Sequence, residues 1–305
     1  MTFLAMPVIA VALVNLLGAS ERDIGIFSTI QLASLSGGCL LSMLLPRRQF
    51  RSIGMAAFVV MILCDLLCLF QSGWTLFLIL RGIGGAAGGV AVSQATAALS
   101  KTQNAERSSG LFLALQTMMA IICIYTIPPI IGAFGFAAAY GVLLLFNILA
   151  LLLVIAKLRN FSATKEYLAT AGNDRMHWLR SGAMLISILC FFTGMGTLWT
   201  FLALLGQKIG LNPTQIALVL SVSKLVAFGA SFMPGVIGVR FGRIPPIIVA
   251  ASILVAAVQL YAFGDSLVTV VAATALFSFG WYVIYPLQLG ASGHLDRDGR
   301  PMPEM

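Results

Sequence analysis

The stretch WTLFLILRGIGGAAGGVAVSQATAA, Trp74 to Ala98, contains a single charged side chain, Arg81. As a helix rising about 1.5 Å per residue it reaches across the roughly 30 Å hydrocarbon core of a bilayer. Its apolar residues do not alternate with polar ones, so it does not read as a strand of a membrane barrel. A helix is the remaining form in which a lipid-embedded chain satisfies its own backbone hydrogen bonds. Working outward in both directions, comparable runs cover 1–18, 25–45, 53–71, 110–132, 134–156, 182–206, 213–239, 245–264 and 266–290. Composition agrees, with 60% hydrophobic and 9% charged residues, against roughly 25% charged in a soluble domain. The fold class that follows is an all-α integral membrane bundle of about ten transmembrane helices.

The formal net charge of +8 raises the question of a nucleic-acid partner. The positions of the Lys and Arg residues argue against one. Arg47, Arg48, Arg51, Lys101, Arg107, Lys157, Arg159, Lys165, Arg175, Arg180, Arg240, Arg243, Arg297 and Arg300 all fall in alternate gaps between the apolar runs. The intervening gaps hold only Arg22 and Lys208, while Arg81 and Lys224 lie inside runs. This asymmetry follows the positive-inside rule and places the loops after helices 2, 4, 6, 8 and 10 in the cytoplasm, with the bacterial inner membrane as the expected location. The basic charge therefore reads as topology, and no nucleic-acid partner is expected.

Cys39, Cys64, Cys68, Cys123 and Cys190 all lie within apolar runs, where small buried hydrophobes are expected and neither a disulfide framework nor a metal site follows. His177 and His294 fall in separate cytoplasmic loops, and no Ser or Cys has a base beside it within a run. The glycines from Gly82 to Gly89 lack the Lys-Ser/Thr ending of a nucleotide loop and read as a helix-packing surface. The expectation is a protein that is not an enzyme and takes no cofactor.

The longest polar interval, 157–181, divides the chain into an N-terminal six-helix bundle at 1–156 and four further helices at 182–305. The second part restarts the first. A shift of 192 residues places Gly18 on Gly210, Ile24 on Ile216, Gly37 on Gly229, Arg48 on Arg240 and Arg51 on Arg243. An even number of helices separates the copies, so both have the same membrane orientation. Parallel repeats of this kind occur in secondary transporters.

Several motifs belong together. The loop after helix 8 reads Gly235-Val-Ile-Gly-Val239-Arg240-Phe-Gly242-Arg243, and its counterpart after helix 2 retains Arg48 and Arg51. Helix 4 carries Arg81 followed by small residues. Helix 8 opens with Gly210-Leu-Asn-Pro-Thr-Gln-Ile216, and Asp296-Arg-Asp-Gly299-Arg300 follows helix 10. In these residues the chain resembles the major facilitator superfamily. That resemblance implies a six-plus-six helix fold and solute transport. It also implies a cytoplasmic gate held by two turns, one with Arg48 and Arg51 and the other with Gly235, Arg240, Gly242 and Arg243. Val239 stands where the family usually has Asp, while Met43, Arg47 and Phe50 replace other positions of the first copy. Helix 5 lacks the Gly-Pro signature of the family's antiporters. Against the family's twelve helices, ten runs predict a chain shortened at both ends, with four of six helices in its second half.

Ionisable residues inside a bilayer cost roughly 2.5–3.5 kcal/mol on insertion scales, so Asp65, Arg81 and Lys224 are the main candidates for function. Asp65 and Arg81 lie eight residues to either side of Gly73, at the hairpin between helices 3 and 4. Both are therefore about 12 Å from the membrane surface, where they can pair, either as a fixed register contact or with Asp65 exchanging protons. Lys224 falls near the midplane, and the four helices of its half contain no Asp or Glu within their apolar runs. It is expected to attract an anionic solute group, to give up its proton, or to pair with a later helix. Asn15, Gln31, Gln116, Tyr125, Trp199, Gln259 and Tyr285 are candidates to line a cavity, with Gln94, Asn147 and Gln288 as further polar residues in the runs.

The functional expectation is a monomeric secondary transporter of a small organic solute, working by symport or antiport, with protons and the lipid bilayer as its other partners. Competing readings are a ten-helix drug/metabolite-type carrier, a non-transporting membrane protein, and an inactive fragment. The drug/metabolite carrier predicts a midpoint after helix 5 and halves of opposite orientation, against the long loop after helix 6.

Overall fold

The computed structural model describes residue 3 and residues 5–45, 50–70, 73–99, 105–157, 175–234, 244–264 and 266–295. Ten helices run through them, with no strand among the described residues: α1 (Met6–Leu17), α2 (Glu21–Leu44), α3 (Phe50–Phe70), α4 (Trp74–Leu99), α5 (Ala105–Phe134), α6 (Ala138–Lys157), α7 (Arg175–Lys208), α8 (Pro213–Ala230), α9 (Ile244–Phe263) and α10 (Leu267–Leu295). Eight are long and apolar enough to cross a membrane, while Met6–Leu17 and Gln215–Ala230 form shorter apolar helices. The all-α membrane bundle expected from the apolar runs is the fold observed.

Helix ends differ from the apolar runs where local chemistry overrides hydropathy. The run 213–239 predicts a helix of that length, but α8 stops at Ala230 and turns at Ser231 and Phe232. Pro234 supplies the reason, because its ring clashes with the carbonyl four residues earlier, that of Ala230. α5 and α7 start before their apolar runs, at Ala105 and Arg175. Pro245 and Pro246 occupy the first turn of α9, where a missing N–H costs nothing, whereas Pro128 and Pro129 lie inside α5.

The internal repeat has a structural counterpart. Gly18 ends α1 at φ +63°, and Gly210 precedes α8 at φ +80°, left-handed conformations that cost side-chain-bearing residues about 1–2 kcal/mol. Two residues later, Ser20 and Asn212 cap α2 and α8 with φ, ψ of −75°, 164° and −74°, 163°. Both form complete capping boxes, the first with Asp23 and the second with Gln215.

The chain separates into two compact units. The first comprises Met1–Ala98, Met119–Thr164 and Trp199–Leu205, and the second comprises Leu99–Met118, Lys165–Leu198 and Gly206–Met305. In the first, α1 packs on α2 and α3 along α6. Glycines bring α4 against α2: a Cβ added at Gly38 would overlap the Ala86 carbonyl, and one at Gly89 the Leu35 carbonyl. Apolar surface gains nothing from association in lipid, so such close contact and the hydrogen bonds it permits hold helices together. Cys39 Sγ donates to the Gly89 carbonyl at 3.3 Å and Gln94 Nε2 to Ser42 Oγ at 3.0 Å. At one end, the ring of Phe77 packs on Phe27, Trp74, Phe136 and Tyr140, with centroids 5.5–6.1 Å apart. In the second unit, α8 and α9 each pack along α10.

Candidate functional site

The first unit places a charged cluster between α2, α3, α4 and α6. Asp65 on α3 and Arg81 on α4 are 3% and 2% exposed, and Arg81 Nη2 donates to Asp65 Oδ1 at 2.7 Å. The other carboxylate oxygen, Oδ2, accepts from Asn147 Nδ2 of α6, also at 2.7 Å. The guanidinium lies over the ring of Tyr140, 4.7 Å from its centroid. Each charge is therefore met on two sides: the carboxylate by a guanidinium and an amide, the guanidinium by a carboxylate and a ring face. Buried ion pairs offset their desolvation only when geometry is good and remaining hydrogen-bonding capacity is used.

A pocket of about 40 Å³ opens beside this cluster, lined by Gln31, Asp65, Arg81 and Asn147 with Phe3, Leu35, Met61 and the glycines Gly84, Gly85 and Gly88. Glycine keeps α4 thin here, since a Cβ at Gly85 would press on Ser34 and Gln31 of α2. Trp199, almost wholly buried, donates its Nε1–H to the backbone carbonyl of Phe3 at 3.0 Å, fixing that wall.

The second unit places Lys224 on α8, 2% exposed, with Nζ 5.8 Å from the centroid of the Tyr282 ring on α10. Its ammonium therefore does not snorkel to the surface. Thr274, Ser278 and Tyr282 follow one another at four-residue spacing on α10, and all are buried. Each meets a different helix. Thr274 is hydrogen-bonded to Tyr261 of α9, Ser278 to Ser223 of α8, and the Tyr282 hydroxyl to Thr117 of α5. A polar ladder thus runs through the core of this unit and ends beside Lys224.

The remaining sequence candidates are spread out. Gln31 is buried in the pocket wall, and Gln116 is half-buried. Asn15, Tyr125 and Gln259 are exposed, and Tyr285 is half-buried with its ring edge-to-face on Phe192 at 5.1 Å. Arg48, Gly235, Arg240, Gly242 and Arg243, and the side chain of Arg51, lie outside the described residues, as does most of the interval 157–181. Sequence reasoning missed Tyr140 and the hydroxyl ladder, and it treated Asn147 only as a generic polar residue.

The family model for the Major Facilitator Superfamily matches residues 1–296. The chain belongs to that superfamily. As a major facilitator protein it is a multi-pass membrane transporter, embedded in lipid and handling small-molecule substrates, in a family of transporters rather than enzymes. Nothing among the curated proteins matches it.

Proposed function

We propose that this major facilitator protein is a monomeric secondary active transporter of a small organic solute, coupled to protons by symport or antiport. Alternating access comes from rocking of two helix bundles about a midplane site, as in transporters built from parallel repeats. The observation that carries the coupling assignment is Asp65: a buried carboxylate within a membrane span, on the wall of a polar pocket. A group this costly to insert is retained in membrane helices mainly for proton or ion pathways. Arg81 serves as its counter-ion, and Lys224 is the candidate for an anionic solute group. The Lys and Arg asymmetry supports a bacterial inner-membrane orientation with the loops after α2, α4, α6, α8 and α10 in the cytoplasm.

The test is proton flux into pyranine-loaded proteoliposomes containing the full chain, challenged with a panel of monocarboxylates, dicarboxylates, sugars and amines. At least one solute is expected to move protons across the membrane. Asp65→Asn is expected to abolish that flux while leaving exchange of the same solute across the bilayer. An Asp65→Asn protein with the proton flux of the wild type would refute the coupling assignment.

A further inference from the structure

Gln31 lies on the wall of the Asp65 pocket, 4% exposed, and its Oε1 has no hydrogen-bond partner among the described residues. A buried acceptor left unpaired bears its full desolvation penalty, so a donor at this position is strongly favoured. The size and charge of the pocket say which donor. Its volume of about 40 Å³ compares with roughly 10–15 Å³ for one water and with roughly 300 Å³ or more for an organic ligand site. A metal cation would meet the Arg81 guanidinium on the carboxylate it needs, and an anion would meet Asp65 itself. Walls that are polar but neutral as a set suit water.

We propose that this pocket binds about three water molecules, anchored on Gln31 Oε1, and that they deliver the proton taken up by Asp65. The delivery half rests on the coupling reading of Asp65, whereas the water site stands without it. The water nearest Asp65 gives one proton to a carboxylate oxygen and takes one from the next water in the row, so each water stays neutral and the net proton comes from bulk. The carboxyl becomes neutral, the attraction for Arg81 weakens, and Arg81 keeps its contact with the Tyr140 ring. The groups that face Asp65 are Gln31 of α2, Cys64 and Cys68 of α3, Arg81 of α4, and Tyr140 and Asn147 of α6. Arg81 is the cation among them, so the proton and Arg81 compete for one carboxylate. Glycine is what leaves room for water: a Cβ at Gly84 would lie 3.6 Å from Arg81 Nη2, and one at Gly88 would lie 3.6 Å from Met61 Sδ.

Met61 on the pocket wall makes the water measurable, because hydroxyl radicals formed from bound water by X-ray radiolysis oxidise its thioether. The full chain in lipid nanodiscs is irradiated and Met61 oxidation read by mass spectrometry, with the exposed Met118 as dose control. Gln31→Leu is expected to lower Met61 oxidation about fivefold, the change in occupancy that one lost neutral hydrogen bond produces, with Met118 unchanged. Gly84→Ala, whose added methyl meets only ordinary van der Waals contacts, takes up pocket volume and is expected to act in the same direction even if the leucine variant folds poorly. Wild-type oxidation of Met61 in both variants would overturn the water site. If Met61 responds as expected but Asp65→Asn leaves proton flux intact, the water site stands and proton delivery falls.

Discussion

In the first unit, Asp65 and Arg81 lie 2.7 Å apart with Asn147 and Tyr140 completing their surroundings. In the second, Lys224 has an aromatic ring beside it, at the end of a ladder of hydroxyls. One region cancels its buried charge internally with an opposite charge. The other places its cation beside a ring, at the end of a row of hydroxyls. The difference bears on what each can do. A neutral pair changes character when a single proton is added to one member, since the pairing itself is then lost. A buried ammonium attracts an anionic group over a distance.

Removing one partner exposes the contrast most strongly in the first unit. Arg81→Ala leaves a carboxylate buried against one amide, and loss of one member of a buried pair costs about 3–5 kcal/mol. The expected result is a large fall in the thermal unfolding midpoint of the purified protein. Much of it is expected to be recovered in the double variant Arg81→Met, Asp65→Leu, which removes both charges. A single variant as stable as the wild type would show that the pair is not a closed unit.

Lys224→Met gives the opposite sign. Methionine keeps the apolar stem and deletes the ammonium, removing the cost of taking that charge out of water. Stability is expected to hold or rise, while uptake of an anionic solute in the same proteoliposomes is lost. A marked fall in the unfolding midpoint would place Lys224 with Arg81 as a structural residue and erase the distinction between the two regions.

The parts of this arrangement that the sequence revealed are those the bilayer dictates. Apolar length sets the spans, and equal distance from a hairpin puts Asp65 and Arg81 at one depth on neighbouring helices. What remained hidden depends on helical phase. In an almost uniformly apolar helix such as Ala138–Lys157, little polar pattern shows which face meets a neighbour. Asn147 and Tyr140 therefore gave no sign that they turn toward Asp65 and Arg81. The same uncertainty explains why Asn15 and Gln259 ended exposed whereas Gln31 did not. Two signals were present in the sequence. Thr274, Ser278 and Tyr282 repeat at the four-residue spacing of one helix face, and Pro234 marks the end of α8 four residues ahead of itself.

The smallest effect compares the two copies of the repeat directly. Ser20 accepts from the Asp23 N–H at 3.2 Å, and Asp23 Oδ2 accepts from the Ser20 N–H at 2.9 Å. The second copy repeats this with Asn212 accepting from the Gln215 N–H at 2.8 Å, and Gln215 Oε1 accepting from the Asn212 N–H at 2.9 Å. Replacing either cap by alanine is expected to cost about 1 kcal/mol, raising local amide exchange about fivefold in peptides spanning the start of α2 or α8. The copies differ in one respect: Asp23 is an acid and Gln215 a neutral amide. A carboxylate at a helix N-terminus gains from the helix dipole, an effect that salt screens. The cost of Asp23→Ala is therefore expected to shrink in high salt and that of Gln215→Ala to stay constant. Equal salt responses would mean that geometry alone holds both caps. A response in only one copy at low salt would mean that matching backbone angles do not give the two repeats matching energetics.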